Sequence, residues 1–79
     1  MNIQVRLFAG ARELVGAGTV RLSLPDGATV QSLADALYDA HAGLRDMRLR
    51  FAVNAAYGDA RTVLHDGDEV ACIPPVGGG

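Results

Sequence analysis

One stretch of this sequence has the periodicity of an amphipathic helix, and it limits what the remaining residues can form. After Thr29, which suits an N-cap, apolar residues recur at helical spacing at Val30, Leu33, Ala34, Leu37 and Tyr38. The stripe predicts a helix from about Val30 to about Ala42, with Gly43 in the left-handed position just past its end. Because a helix with one apolar face must bury that face, the rest of the chain has to provide a surface that covers it.

The other apolar residues alternate with polar ones, which is the pattern of half-buried strands. Strands are predicted at residues 3–8, 19–24, 48–53 and 69–73, with a short edge strand near Tyr57. About one turn of helix is expected at residues 11–15. This order of elements predicts an α+β domain with one main helix packed across a sheet.

The last predicted strand is apolar on both faces. Val70 and Cys72 point to one side of it, and Ala71 and Ile73 point to the other. Such a strand is typical of the centre of a sheet, so we expect the helix to cover one face and a partner to cover the other. Phe8 falls on the polar side of the first strand and is a candidate for the same contact surface.

Length, charge and cysteine content exclude several classes of protein. Seventy-nine residues make a single domain, 1–79, in which residues 74–79 are expected to form a flexible tail. A net charge of −2 argues against nucleic acid as a partner. No apolar run approaches the roughly 18 residues of a membrane span, and the N-terminus lacks signal-peptide regions, so we expect a cytoplasmic protein. The only cysteine, Cys72, suits a buried apolar role.

The side chains that usually perform catalysis form no recognisable constellation in this sequence. There is no Ser/His/Asp arrangement, no metal-ligand spacing and no phosphate-binding glycine loop. The acids Asp66, Asp68 and Glu69 are expected to form a tight turn rather than a calcium loop. The arginines at positions 48, 50 and 61 are either a partner-facing patch or solvated edge positions, and the second interpretation is favoured. We expect no independent enzymatic activity, no metal and no stably bound cofactor.

The most distinctive chemistry lies in the final segment, Pro74-Pro75-Val76-Gly77-Gly78-Gly79. Two consecutive prolines fix φ and lack backbone donors, so strand pairing must stop there. The glycines have no Cβ and can enter a narrow channel. If another protein adenylated the Gly79 carboxylate with ATP, sulfide attack on the mixed anhydride would give a thiocarboxylate, a nucleophile able to deliver sulfur.

Several stretches resemble the small, sulfur-carrying subunit of molybdopterin synthase. Residues 64–79, LHDGDEVACIPPVGGG, are similar to the C-terminus of that family. The motifs VRLFA at 5–9, REL at 12–14 and AVN at 52–54 match as well, so the resemblance covers essentially the whole chain. It implies the ubiquitin-like β-grasp fold, a mixed sheet of about five strands in which the last strand lies centrally beside the first.

The resemblance also implies a function. Gly79 would be adenylated and converted to the thiocarboxylate, and the tail would enter the large synthase subunit, which adds sulfur to cyclic pyranopterin monophosphate. The implied partners are that large subunit, an E1-like adenylating enzyme that uses the ATP, and a sulfur donor such as a cysteine desulfurase or rhodanese. Implied partner-binding residues are Phe8, Ile73, Pro74, Pro75, Val76, Gly77 and Gly78. Gly77 departs from the family, since many members carry a side chain there.

Three alternatives remain open from the sequence. The chain could carry sulfur for thiamine synthesis or tRNA thiolation, although Pro74-Pro75 and the stretch at 12–14 disfavour the thiamine carrier. It could be a ubiquitin-like protein modifier, although the absence of lysine disfavours chains of copies. It could also be an interaction module with an inert tail.

Overall fold

A computed structural model describes residues 1–75 and contains a five-stranded sheet crossed by one long helix. In chain order the elements are β1 (Asn2–Leu7), α1 (Ala9–Val15), β2 (Thr19–Ser23), α2 (Val30–Ala40), a 3₁₀ helix (Ala42–Met47), β3 (Arg50–Val53), β4 (Ala56–Tyr57) and β5 (Glu69–Ile73). Within the described residues, no helix has the length and apolar character needed to cross a membrane. The predicted contacts at residues 76–79 lie outside the described part of the chain.

The sheet is mixed, and its last strand lies at its centre. The strand order is β2-β1-β5-β3-β4. β5 runs parallel to β1, with Val5 opposite Val70, and antiparallel to β3, with Phe51 opposite Cys72. The other two pairings are antiparallel. This arrangement confirms the predicted α+β fold, the central position of the last strand and the ubiquitin-like β-grasp architecture.

The core lies between α2 and one face of the sheet. Alternate residues of β1 and β5 point toward the helix and are almost completely buried, as are Leu33 and Leu37 on α2. Thr29 caps the helix as predicted: its hydroxyl accepts a hydrogen bond from the Ser32 backbone, and the Ser32 hydroxyl accepts one from the Thr29 backbone. Such a reciprocal cap fixes where the helix begins.

The C-terminal end of α2 differs from the prediction. The helix ends at Ala40 rather than at Ala42, and residues expected to be an irregular connection form the 3₁₀ helix. Gly43 lies inside that helix; the left-handed residue is Arg48, with φ of 53°. A Cβ on Gly43 would lie 2.7 Å from Leu14 Cδ1, so this glycine permits close approach of α1 rather than ending a helix. That packing depends on distant residues, which local spacing does not reveal.

The first helix is also longer than predicted. It spans seven residues, Ala9–Val15, instead of about one turn. Its C-cap is Gly16, which is left-handed with φ of 83°. The helix buries Ala11. Its N-cap is Phe8, whose backbone is extended, so the chain passes from β1 into the helix without a loop.

A polar clamp, formed by Asn54, His65, Asp68 and Glu69, joins the β3–β4 turn to the start of β5. The Asn54 side chain donates to Asp68 Oδ1 at 2.9 Å and accepts from the Glu69 backbone N–H at 3.0 Å. The His65 backbone N–H donates to Asp68 Oδ2 at 2.8 Å. The Asn54 side-chain bond, and after it the His65 bond, hold the pKa of Asp68 below its ordinary value because they favour the ionised carboxylate.

We expect Asp68→Asn to lower the free energy of unfolding at neutral pH by about 1 kcal/mol, because the carboxamide cannot reproduce both accepted bonds. Since the folded-state pKa is depressed, the contribution of Asp68 is fully present above its unfolded value of roughly 3.9 and is lost as the pH falls through the lower folded value. The difference between variant and wild type in urea unfolding should therefore shrink below about pH 4. Asp39→Asn, which removes an exposed carboxylate from α2, is the control. A difference that stays constant with pH would contradict this account.

Candidate partner-docking face

The sheet has a second face that α2 does not cover, which we call the outer face. Successive side chains of a strand point to opposite faces, so a strand residue between two core residues points to the outer face. Arg6, which lies between the buried Val5 and Leu7, is an example. The central members of the outer face are Arg6 on β1, Ala71 and Ile73 on β5, Arg50 and Ala52 on β3, and Tyr57 on β4.

Small and apolar residues form the floor of the outer face. Ala71 lies opposite Ala52 on the neighbouring strand, and Ala52 lies opposite Tyr57. Ala52 is only 7% exposed although it points away from α2, because larger neighbours flank it. Ile73 continues the row along β5 and is half-buried. The middle of this face is therefore a shallow apolar trough that runs along β5 toward the tail.

Two aromatic rings with stacked arginines border the trough. On one side the Arg6 guanidinium lies 5.5 Å from the centroid of the Phe8 ring, which is 40% exposed. On the other side the Arg50 guanidinium lies 4.5 Å from the centroid of Tyr57, which is 64% exposed. Large exposed rings that border an apolar floor are typical of a surface that another protein covers.

The structure brings the described members of the predicted site to one end of the sheet. Leu7 lies opposite Cys72, so Phe8 and Ile73, the next residue on each chain segment, lie at the same end of neighbouring strands. Pro74 and Pro75 follow directly and carry the chain out of the sheet. The predicted roles of Val76, Gly77, Gly78 and Gly79 concern residues outside the described range and stay predictions.

The sequence interpretation missed two members of this face. The sequence places Tyr57 only on an edge strand, and Arg6 only within the strand at residues 3–8 and the motif at residues 5–9. Of the three arginines that sequence suggested as a cluster, only Arg50 lies on a strand. Arg48 precedes β3, and Arg61 lies in the loop whose Ala60 carbonyl accepts from the Gln31 backbone on α2. The alternation of β1 was the available signal for Arg6.

Cys72 belongs to the helix-facing side of β5 and not to the outer face. Its side chain is fully buried, and burial raises the pKa of the thiol to about 12. A thiol that stays protonated at neutral pH is a poor nucleophile. Cys72 is therefore a core residue, as predicted.

We expect native protein to resist alkylation of Cys72 by iodoacetamide at about pH 8, because the thiolate is the reactive form and burial disfavours it. Denaturation should expose the thiol and allow complete labelling, read by intact mass. Ser23→Cys, which places a thiol at an exposed position of β2, controls for reagent activity and should label in the native state. Equally fast labelling of Cys72 in native wild type would contradict its buried assignment.

No constellation for a metal ion is present among residues 1–75, where no group of three His, Cys, Asp or Glu side chains lies close enough to bind one. An open groove of about 490 Å³ lies between α2 and the β4 edge, lined by apolar residues such as Ala34 and Phe51 and by the polar residues Gln31, Arg50 and Asp59. The lining of this groove does not place a nucleophile beside a base.

Comparison with known proteins agrees with this geometry. The model of the ThiS family matches residues 5–79. The molybdopterin synthase sulfur carrier subunit of Arabidopsis thaliana is 37% identical over 81 residues, covering 100% of this chain and 84% of that protein. The structure of SAMP1, small archaeal modifier protein 1, from Haloferax volcanii is 30% identical with a TM-score of 0.89, and each chain is covered completely. A complex of subunits 1 and 2 of molybdopterin-converting factor from Helicobacter pylori contains a chain that is 26% identical with a TM-score of 0.71, again with complete coverage of both chains.

Proposed function

Because this chain belongs to the ThiS family, we propose that it is the sulfur-carrying subunit of a molybdopterin synthase. The observation that carries the proposal is the position of the tail root. β5 is the central strand, and it ends at Ile73 beside Phe8, so the chain leaves the sheet directly from the apolar trough of the outer face. A partner that docks on that face can also receive the tail.

The names of relatives support this function and this partner. The Arabidopsis relative is a molybdopterin synthase sulfur carrier subunit, and the Helicobacter pylori structure holds subunits 1 and 2 together. We propose that the large synthase subunit covers the outer face of this chain, with Phe8, Ile73, Pro74 and Pro75 at the contact. Residues 76–78 would extend into that subunit and place Gly79 at its substrate.

The proposed chemistry takes place on Gly79 and inside partner proteins. In an E1-like adenylating enzyme, a carboxylate oxygen of Gly79 attacks the α-phosphorus of ATP and releases pyrophosphate. The terminal sulfur of a persulfide on a donor such as a cysteine desulfurase or rhodanese then attacks the acyl carbon and releases AMP. A second thiol cleaves the resulting acyl disulfide, forms a disulfide with the donor cysteine and leaves the thiocarboxylate on Gly79. In the large subunit this sulfur attacks cyclic pyranopterin monophosphate, and water hydrolyses the acyl group to restore the carboxylate. A dithiolene has two sulfurs, so two such deliveries are needed, and we place them in the cytoplasm.

A second candidate function is protein modification. The likeness to SAMP1 favours it, because a modifier uses the same activated carboxylate and joins it to an amine instead of sulfur. This chain has no lysine, so a second copy could be joined only at the terminal amine. Sulfur carriage for thiamine or tRNA would share the same activation steps and differ in the acceptor.

The deciding experiment is intact mass spectrometry after incubation with the adenylating enzyme of the molybdopterin pathway, ATP and a sulfur donor. A gain of about 16 Da corresponds to exchange of one oxygen for sulfur, the soft nucleophile that the proposal requires. Addition of the large subunit and cyclic pyranopterin monophosphate should then return the mass to its starting value. No gain, with enzyme and ATP shown to be active on a known carrier, would overturn the proposal. Conjugates to lysines of other proteins would favour the modifier.

A further inference from the structure

Charge is distributed unevenly between the sheet and the rest of the molecule. The charged residues of the five strands are arginines 6, 21 and 50 and glutamate 69, and all of them lie on the outer face. The remainder of the chain has four arginines and eight acidic residues. A chain with a net charge of −2 therefore presents a cationic face to whatever covers its sheet.

The two arginines that border the trough differ in their electrostatic partners. Arg6 lies 3.6 Å from Glu69, so its charge is already balanced in part. Arg50 forms no ion pair with any of residues 1–75, and its guanidinium is stacked on the Tyr57 ring. A stacked guanidinium keeps the N–H groups at its edge available for a planar acceptor such as a carboxylate. The ring also restricts the arginine side chain before binding, so less conformational entropy is lost when the contact forms.

Arg50 also has a particular position along the sheet. Its Cα lies opposite Ile73, the last residue of β5 before the prolines of the tail. A protein that covers the outer face at the end of β5 would therefore lie close to this guanidinium. Covering an arginine without an acceptor would leave a desolvated charge unpaired, which is costly, so the covering surface has to supply an anion.

We propose that Arg50, held on Tyr57, binds a carboxylate on the surface of the large subunit, next to the point where the tail enters. This inference rests on the proposed function and adds a specificity determinant to it: the complementary surface is an apolar patch bordered by at least one aspartate or glutamate. Arg6 plays a smaller part because Glu69 already balances part of its charge. The Arg50 contact selects an acidic partner and sets the register in which the tail enters.

Binding of the full-length chain to its cognate large subunit, measured by surface plasmon resonance at several salt concentrations, tests this assignment. Arg50→Gln should weaken binding about 10- to 100-fold and flatten its salt dependence, because a buried charge pair is lost. Arg50→Lys should recover part of the affinity, since it keeps the charge without the planar fork. Arg61→Gln, an equal change of charge at an exposed loop position, should stay within about twofold.

The Tyr57 ring gives a second readout. Tyr57→Phe keeps the stacking surface and should bind like wild type, whereas Tyr57→Leu frees the guanidinium and should weaken binding about three- to tenfold. Near-equal affinities of Arg50→Gln and Arg61→Gln would overturn the inference, as would an unchanged salt dependence. If the wild-type chain neither gained sulfur nor bound the large subunit, the proposed function would be overturned as well. Wild-type loading together with no effect of Arg50→Gln would overturn only the carboxylate contact.

Discussion

Deletion of Gly79 is expected to abolish measurable sulfur loading while the thermal unfolding temperature remains that of the full chain. The shortened protein still ends in a carboxylate, now on Gly78, and its last two residues are still glycines. What changes is reach, because one residue of extended chain spans about 3.5 Å. Misplacement of a reacting group by about 1 Å can cost roughly 100-fold in rate, so a whole residue should remove activity. The readout is the mass gain after incubation with adenylating enzyme, ATP and sulfur donor.

Gly77→Ala is the matched control for that deletion, since it alters the tail without changing its length. We expect it to load within about threefold of wild type, because one methyl group restricts backbone angles but leaves the terminal glycine pair intact. Normal loading of the deletion would show that length does not position the reactive group. A deletion that unfolds would contradict the division between a folded carrier, residues 1–75, and a tail that reacts.

Leu37→Ala is expected to have the largest effect on stability. Leu37 is 0% exposed and lies on the face of α2 that packs on the sheet. Truncation of a buried leucine costs about 2–5 kcal/mol through lost transfer energy and the cavity left behind. A domain of this size has a total free energy of unfolding of roughly 4–12 kcal/mol. The variant should therefore show a large drop in the urea midpoint, measured by circular dichroism, and should be partly unfolded at 37 °C.

Leu14→Ala makes the same chemical change at a position that is 43% exposed. The free energy of unfolding of this variant should fall by less than about 1 kcal/mol, because much of the removed surface is already in water. Similar losses for the two variants would mean that the core is not organised around α2 as the structure indicates. Sulfur loading of folded Leu14→Ala should match wild type, because the residue lies on α1 and outside the outer face.

The features that the sequence predicted correctly are those that depend on the local spacing of apolar residues. The stripe from Val30 to Tyr38 and the alternation in each strand depend on neighbours in the chain, so element type could be read directly. The central place of β5 was indicated by apolar residues on both of its faces, because a strand that is covered on both sides is typical of the middle of a sheet.

The features that sequence did not predict depend on contacts between distant residues. The length of α1 and the role of Gly43 are set where Leu14 meets the 3₁₀ helix. The pairing of Arg50 with Tyr57 requires the β3–β4 turn to bring them to one face, and nothing in their spacing predicts a stack. In the candidate site, the apolar members Phe8 and Ile73 were found, whereas the charged members required the register of the sheet.

The parallel pairing of β1 with β5 has a consequence for how the protein is made. The pairing of β1 with β5 cannot form until β5 has been synthesised, because Val5 lies opposite Val70 on that last strand. Contacts of such long sequence separation slow folding and delay it until synthesis is complete. A nascent chain interrupted before residue 73 would lack the centre of its sheet as well as the terminal glycines. The sheet is thus completed only when synthesis has reached the residues that lead into the tail.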